Sequence, residues 1–422
     1  MGLGLYLAAE FPKRLEPDAL IRRALNWVND HVPDAQPVRG VDLRERPTVY
    51  LNLHPAEENL ELTGIGHGRL LASGKTSSAG PGYHAFVVDL LDRLARDLEL
   101  VWLPRTPDAD WADETGYFET RDFPRLQEEM LTWLRALARN LPDNEGSGFE
   151  VCMPMTHHFE VDAFCRTPLG PRDRAWFDSV AADPSRGIDF FPWWEQGTSA
   201  GYHLGVALAL MWNEVRWHAP ENESERMVLQ RVLDSLERAF KLDPSRAFPW
   251  AEWDELLQIS RRKGCVSEWV HKQASHARPD PRIGYRRHPV KVMLTGGWSI
   301  RIPGSFSEEW DDRGTFCGWG DGRTVWFTGF VLGNGADMTP DEMVGNGPDD
   351  EGERFERRDG ALVSRAVLCR ESDPDDTYWA LKSDAAVPHR RAACTICFHD
   401  PSDRQWAMTT WQSLTHGSAR SI

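Results

Sequence analysis

Two short segments of this sequence combine glycine, hydroxyl residues and a Tyr-His pair. Residues 76–84 read T-S-S-A-G-P-G-Y-H, and residues 198–203 read T-S-A-G-Y-H. Backbone N–H groups in glycine turns and at helix N-termini bind anions, and a histidine beside such a loop can act as a general base. The same glycines also allow tight turns from strand into helix, with Ser or Thr as a helix cap. The pattern therefore predicts either one shared anion site or two structural turns.

The catalytic alternative assigns specific roles to these residues. His84 and His203 would be the bases of a hydrolase or transferase that acts on an anionic substrate. Under the structural alternative, neighbouring groups hold both imidazoles and there is no catalytic residue. The candidate ligand-binding residues of the two loops are Thr76, Ser78, Gly80, Gly82, Tyr83, Thr198, Ser199, Gly201 and Tyr202.

The helix after the first loop gives His84 a defined position. At 100° per residue, Tyr83, Val87 and Leu91 lie on the apolar side, and His84 lies at the edge of that side. We therefore expect His84 to be partly buried in the first helical turn, where backbone N–H groups lack helical partners. That position suits a general base and a hydrogen-bonded structural group equally.

A weak set of metal ligands lies between the two loops. If residues 156–162 are extended, then His158, Glu160 and Asp162 share one face and could bind a metal. A solvated strand face explains the same pattern, and no helix-borne HExxH arrangement supports a metal. The sequence therefore predicts no metal and no cofactor, with these three residues as the weak alternative.

Two other motifs are incomplete. Cys394 and Cys397 have CxxC spacing, but they lie in a strand-like run where residues three apart point to opposite faces, so a structural role is predicted. The G-K-T at residues 74–76 follows Gly68 by one residue too many for a phosphate-binding loop. Nucleotide hydrolysis is therefore not indicated.

Composition excludes several classes of protein. The 422-residue chain has a formal net charge of −17, which argues against a nucleic-acid surface and permits a basic protein partner. The longest apolar runs are shorter than the roughly 20 residues needed to cross a bilayer, and the first residues lack the pattern of a secretory signal. Seven scattered cysteines fit reduced thiols. The sequence predicts a cytoplasmic protein.

The pattern of elements predicts a multidomain protein with α/β and α+β parts. Residues 1–145 form an α/β unit that contains the first glycine loop, and residues 146–275 form a second strand-loop-helix pass with a helical extension. The likeness of the two passes suggests a diverged duplication. Residues 288–422 form an α+β domain with an antiparallel sheet. Its strands are predicted at 291–295, 298–302, 323–331, 362–369, 377–382 and 391–398, with a helix that begins near Asp400.

A resemblance supports the last of these assignments. The segments G-G-W-S-I-R-I-P-G-S-F (296–306), R-T-V-W-F (323–327) and C-F-H-D-P-S-D-R-Q-W-A-M-T-T-W-Q-S-L (397–414) are similar to the small α/β sandwich of PsbP-like proteins. This resemblance implies a binding module and transfers no catalytic residue. Residues 1–285 have the general look of bacterial proteins and indicate no particular family.

These observations predict a non-catalytic cytoplasmic protein that binds another protein. An acidic chain would suit an immunity or accessory factor for a basic partner. The alternative is the hydrolase or transferase built on the two glycine loops. Neither the identity of the partner nor the oligomeric state follows from the sequence.

Overall fold

The chain divides into two compact units, each with its own sheets. The first contains residues 1–154, 162–215 and 226–284, and the second contains residues 155–161, 216–225 and 285–422. The computed structural model describes residues 2–11, 15–32, 35–66, 68–104, 112–141, 149–151, 153, 157–161, 163–264, 266–331, 338–373 and 376–417.

The described chain contains runs of consecutive strands, such as β2 to β5, and runs of consecutive helices, such as α6 to α9. The α-helices are α1 (Pro17–His31), α2 (Pro81–Asp97), α3 (Tyr117–Thr120), α4 (Phe123–Asn140), α5 (Arg174–Ala182), α6 (Ala200–Asn213), α7 (Glu223–Leu242), α8 (Trp250–Ser260), α9 (Ser267–Ala274), α10 (Pro340–Val344) and α11 (Arg404–Gln412). The strands are β1 (Gly4–Glu10), β2 (Gln36–Val41), β3 (Pro47–Asn52), β4 (Leu60–Ile65), β5 (Arg69–Lys75), β6 (Val101–Trp102), β7 (Ala112–Asp113), β8 (Phe149–Glu150), β9 (His157–Phe159), β10 (Cys165–Thr167), β11 (Gly170–Arg172), β12 (Pro289–Leu294), β13 (Trp298–Pro303), β14 (Ser307–Trp310), β15 (Phe316–Gly320), β16 (Arg323–Val331), β17 (Glu353–Asp359), β18 (Leu362–Asp373), β19 (Asp376–Val387), β20 (Arg390–Phe398) and β21 (Thr415–His416).

An antiparallel sheet forms the frame of the first unit. Its strand order is β2-β3-β4-β5-β1, and β6 and β7 both pair with β1. Leu5 and Leu7 of β1 are buried in the same core as the apolar sides of α1 and α2. The indole N–H of Trp27 in α1 donates to Asp97 at the end of α2, at 2.9 Å. The sheet and these two helices therefore share one core.

Helix α4 shows how sequence periodicity determines packing in this unit. Asp122 caps it by accepting the Arg125 backbone N–H at 3.2 Å. Its buried residues are spaced four apart, so they form one stripe. Helix α4 therefore packs through one stripe, with Leu126, Met130, Leu134 and Ala138 as its core residues.

The second unit contains two antiparallel sheets. One has the order β21-β13-β12-β9, and the other has the order β14-β15-β16-β20-β19-β18-β17. In β20 the even-numbered residues from Ala392 to Phe398 are buried and the odd-numbered ones are half-exposed, as expected for a strand with one covered face. The predicted combination of a mixed α/β body with a C-terminal sheet domain is confirmed.

Candidate functional site

The first glycine loop connects β5 to α2. The Thr76 backbone N–H donates at 3.0 Å to the carbonyl of Leu3, the residue immediately before β1. This hydrogen bond joins the start of the loop to the start of β1. Gly80 precedes the helix with φ of 106°, a backbone conformation that residues with a Cβ rarely adopt. Residues 76–84 are buried throughout. The loop is therefore an internal turn of the first unit.

Trp193 contacts the first glycine loop through two backbone hydrogen bonds. The Gly82 N–H donates to the Trp193 carbonyl at 2.9 Å, and the Trp193 N–H donates to the Ala79 carbonyl at 2.9 Å. A Cβ at position 82 would lie 2.1 Å from Trp193 Cδ1 and 2.3 Å from the Glu195 carbonyl oxygen. Glycine is therefore required at position 82 because another part of the chain packs directly against its Cα.

The second loop reaches the same tryptophan. Ser199 caps α6 by accepting the Tyr202 N–H at 3.3 Å. The indole N–H of Trp193 donates to the Gly197 carbonyl at 2.9 Å, and its ring centroid lies 4.2 Å from that of Tyr202. The structure therefore brings both predicted loops into contact with Trp193.

His84 belongs to a buried chain of hydrogen bonds. Its Nδ1 lies 2.8 Å from Thr76 Oγ1, and its Nε2 lies 3.2 Å from Asp113 Oδ2 and 3.2 Å from Thr115 Oγ1. Burial opposes ionisation of Asp113, but hydrogen bonds from His84 and from the Phe118 and Thr115 N–H groups hold its pKa at about 2. A carboxylate at Nε2 requires a proton there, and the tautomer with its single proton on Nε2 accepts the Thr76 hydroxyl proton at Nδ1.

The hydrogen-bonded residues Thr76, His84 and Asp113 have the order hydroxyl, imidazole, carboxylate that hydrolases use to activate a nucleophile. In the first unit, however, Thr76, His84 and Asp113 are each at most 1% exposed. The sequence predicted partial burial of His84, whereas the structure shows complete burial. The cause is the 112–118 segment, which covers the ring and supplies Asp113 and Thr115.

Glu57 occupies the anion-binding position of the first loop. One carboxylate oxygen accepts the N–H groups of Ser78 and Ala79 at 2.9 and 3.1 Å. Burial raises the pKa of Glu57 to about 7, although these N–H groups favour the charged form. Burial, together with the charge of Glu57, also raises the pKa of Tyr83. The N–H groups of the loop are therefore bound by a carboxyl side chain of the same protein.

His54 lies one turn before Glu57 and is also completely buried. Its Nδ1 accepts the Ala56 N–H at 3.1 Å, so the ring proton is on Nε2. Burial, with a smaller effect from the positive charge of Arg231, lowers the pKa of His54 to about 3. Three rings lie around it, at centroid distances of 6.1 Å for Tyr83, 5.9 Å for Trp193 and 6.2 Å for Tyr202.

The polar groups of the second loop are engaged in an ion-pair cluster. Arg246 donates to Glu195 at 2.6 Å, and hydrogen bonds from Ser199 and then Arg246 lower the pKa of Glu195. Gly201 lies beside this pair, since a Cβ there would be 3.1 Å from Arg246 Nη1. The guanidinium group near this loop is therefore already paired with a carboxylate.

The two imidazoles have different surroundings. His84 is enclosed by the Thr76–Asp113 chain, whereas His203 is half-buried on α6 with its ring 4.9 Å from that of Tyr202. Thr198 is exposed. The loops thus meet at Trp193, but the first is an interior turn and the second is partly on the surface.

The predicted metal ligands are placed among cations. Glu160 forms an ion pair with Arg301 at 2.5 Å. His158 of β9 lies opposite Lys291 of β12, which in turn lies opposite Arg301 of β13. Asp162 is outside the described residues. A cation at this position would face two positive side chains, which disfavours the metal alternative.

Another acidic group lies on the large sheet of the second unit. Ligand atoms of Asp350, Cys369 and Glu371 lie within 4.8 Å of one another. The Lys382 ammonium group contacts both carboxylates, at 2.7 Å for Asp350 and closer for Glu371. Lys382 is therefore already paired with both carboxylates and offsets one of their two negative charges.

The two incomplete motifs have structural positions. Cys394 is buried on the inner side of β20, whereas Cys397 is half-exposed on the other side, so the predicted opposite orientation is confirmed. Gly74 and Lys75 are the last residues of β5, and Lys75 forms an exposed ion pair with Glu58 at 3.2 Å. Neither the CxxC pair nor the G-K-T segment forms the metal site or the phosphate-binding loop that its sequence suggests.

Sequence reasoning missed the residues that complete the site. Glu57 and His54 belong to an H-P-A-E turn, and Asp113 closely follows the charged sequence segment 105–111. A proline turn that carries both an imidazole and a carboxylate was the one available signal. Their distance along the chain from the glycine loop concealed their role.

Comparisons with known proteins give no family. No protein-family model and no curated protein matches this chain. Within the part of the chain that the structure describes, none of the helices is both long enough and apolar enough to cross a membrane.

Proposed function

We propose that this chain is a non-catalytic protein-binding protein, with the role of an immunity or accessory factor for a basic partner. The observation that carries the proposal is an exposed aromatic strip on the large sheet of the second unit. Along β16, Val325 and Phe327 are buried, whereas Trp326 and Phe330 are 48% and 47% exposed. Trp326 and Phe330 therefore point to the open face, and we call them the outer strip.

Exposed aromatic residues of this kind are typical of interfaces. Tyr, Trp and Phe are enriched where proteins bind each other, and contiguous exposed apolar patches mark such sites. Thr328 lies between the two aromatic residues on the same face, so the outer strip alternates aromatic and hydroxyl groups.

Charge supports a basic partner. The chain carries a formal net charge of −17, which attracts a cationic protein over long distances. Glu309 of the edge strand β14 lies opposite Cys317, which lies opposite Trp326, so Glu309 belongs to the same row of the sheet. Glu309 is exposed. A partner that covers Trp326 would therefore meet a carboxylate at the edge of the contact.

The chemistry of the glycine loops supports a non-catalytic role. Glu57 accepts the N–H groups of Ser78 and Ala79, and His84 is enclosed and hydrogen-bonded to Asp113. These are the groups that a hydrolase would need for its substrate. The PsbP-like resemblance of the last third, a prediction from the sequence, implies a binding module as well.

The proposal is tested by recovering the partner and removing the outer strip. Affinity purification from cells that make the chain at natural levels should recover a basic protein in stoichiometric amount. The affinity of this partner for the chain should fall steeply between 50 and 500 mM salt, because charges are weakly screened at the lower concentration and strongly screened at the higher one. Trp326→Thr with Phe330→Thr keeps strand propensity and should weaken binding about tenfold or more.

A matched control separates a lost contact from a lost fold. Leu43→Thr removes a fully exposed apolar residue from the first unit and should leave binding unchanged. Recovery of no stoichiometric partner would contradict the protein-binding function. A partner that binds the outer-strip variant as tightly as the unchanged protein would contradict this surface only.

A second candidate function, a hydrolase or transferase acting on an anionic substrate, has one observation in its favour. Thr76, His84 and Asp113 form a continuous hydroxyl-imidazole-carboxylate chain. If this chain is catalytic, His84→Gln should abolish turnover of p-nitrophenyl phosphate or p-nitrophenyl acetate while the protein stays folded. The protein-binding proposal expects no turnover in the unchanged protein and a loss of stability in the variant.

A further inference from the structure

The long strands β18 and β19 extend beyond their neighbours at one end of the large sheet in the second unit. Pairing of β17 with β18 reaches only as far as Leu368, and pairing of β20 with β19 begins only at Trp379. Among the described strands, residues 371–373 and 376–378 therefore pair only with each other, and we call these two segments the ribbon. A two-stranded ribbon is marginally stable by itself, so its position depends on side-chain contacts.

His399 contacts the tip of the ribbon from the end of β20. Its Nε2 lies 2.9 Å from Asp376 Oδ2, and its Nδ1 lies 2.9 Å from the carbonyl oxygen of Gly322. Asp376 is the first residue of β19, and Gly322 lies in the turn between β15 and β16. The imidazole thus joins the ribbon to this turn across the end of β20.

These two contacts require two protons on the ring. A backbone carbonyl and an ionised carboxylate are acceptors only, and a neutral imidazole carries a single N–H group. The doubly protonated ring therefore satisfies both contacts, whereas the neutral ring satisfies one. The hydrogen bonds to Asp376 and then to the Gly322 carbonyl accordingly raise the pKa of His399 above its ordinary value of 6.5.

The other groups on the elements packed against this ring are mostly acidic. The turn sequence D-P-D-D at residues 373–376 carries three acidic residues. Arg323 is paired with Asp403, which offsets the positive charge at the start of β16. The titratable groups are Asp321 and Arg323 beside Gly322, Asp400 and Asp403 after β20, and Glu371, Asp376 and Tyr378 on the ribbon. This environment favours the protonated ring.

We propose that His399 is a pH-dependent anchor of the ribbon: the protonated imidazole holds the ribbon tip on the end of the large sheet, and loss of the proton releases it. Because the folded-state pKa is raised, the anchor is complete below pH 6.5 and is lost as the pH rises through the folded-state value. The ribbon would respond to pH near neutrality, where histidine is the usual sensor. This inference does not depend on the proposed protein-binding function, since it uses no residue of the outer strip.

Hydrogen exchange of the full chain tests the anchor, measured by mass spectrometry on peptides that contain the ribbon. Exchange is recorded at pH 6 and pH 9 and divided by the intrinsic rate at each pH. We expect protection of the ribbon amides to fall about two- to fivefold at pH 9, the size of an ion pair whose histidine side chain is 52% exposed. Peptides from β16 and β20 report any change in the whole sheet and serve as the reference.

Two variants make the result specific. His399→Gln keeps one donor but has no proton to lose, so its ribbon should show the lower protection at both pH values. His276→Gln makes the same substitution at an exposed histidine of the first unit and should behave as the unchanged protein does.

Two outcomes would overturn the anchor. One is equal protection of the ribbon at pH 6 and pH 9 in the unchanged protein, relative to β16 and β20. The other is a pH-dependent loss of protection that persists in His399→Gln, because another titrating group would then hold the ribbon.

Discussion

Replacing Glu57 with Gln should change how the stability of the protein depends on pH. In the folded chain, burial raises the pKa of Glu57 from 4.5 to about 7. The glutamine side chain keeps an oxygen that can accept the Ser78 and Ala79 N–H groups, and it cannot ionise. The substitution therefore removes the titration while it preserves the contact.

The expected size follows from the shift in pKa. Each tenfold change in proton affinity corresponds to about 1.4 kcal/mol, so the shift is worth about 3 kcal/mol. Because the folded pKa is raised, the folded state binds the proton more tightly than the unfolded state does. The contribution of Glu57 is complete below pH 4.5 and is lost as the pH rises through 7.

Urea unfolding of both proteins between pH 4 and 9 provides the assay. The free energy of unfolding of Glu57→Gln, relative to the unchanged protein, should rise by about 3 kcal/mol between pH 4.5 and 8 and then stay constant. His54 acts in the opposite direction: its pKa is lowered to about 3, so its contribution is lost as the pH falls below 6.5. That effect is common to both proteins and cancels in the difference. Parallel profiles would refute the burial of the Glu57 carboxylate.

Three further changes test the interior contacts. Gly82→Ala should destabilise the first unit by about 3 kcal/mol or more in urea unfolding, because its Cβ would overlap Trp193. An added Cβ at Gly264 would lie 3.9 Å from Glu237 Oε1, an ordinary contact distance, so Gly264→Ala should be nearly neutral. His84→Gln should cost about 2 to 4 kcal/mol by the same measurement, since Asp113 would keep a buried charge without its partner. Burial raises the pKa of the Cys394 thiol to about 12, so peptide mass spectrometry should find it unlabelled by a thiol reagent at pH 8 until urea unfolds the chain.

Local patterns predicted the helices and the turns of this chain well. Helix α4 follows from residues spaced four apart and from an aspartate cap, and both features lie within one segment. The first glycine loop was predicted as a turn from strand into helix, and it is one. Such features depend on neighbours in sequence, which the sequence shows directly.

Pairing between distant segments was not predictable in the same way. The segment 157–159 forms β9 because it pairs with β12, although its sequence also suits a loop. β14 reads S-E-E-W, with little strand propensity, and its pairing with β15 determines its conformation. Contacts with distant segments determine that β9 and β14 are strands, and the sequence has no periodic pattern that predicts these contacts.

In the candidate site, too, the local features were predictable from the sequence and the contacts between distant segments were not. The glycines, the hydroxyl residues and the two histidines were identified from their spacing, and the structure brings both loops to Trp193. The two carboxylates that decide the chemistry, Glu57 and Asp113, come from separate segments. Because their function depends on where the backbone folds back, only the structure connects them to the loop.

The central claim is that Glu57, a side chain of the same protein, occupies the anion-binding N–H groups of the first loop. Hydrogen exchange of the Ser78 and Ala79 amides, resolved by fragmentation mass spectrometry, tests this claim most directly. If Glu57 accepts both N–H groups, the two amides should exchange about a hundredfold or more slowly than in an unstructured peptide. Exchange at the unstructured rate, with the amides of α2 still protected, would contradict the claim and leave the loop open to an outside ligand.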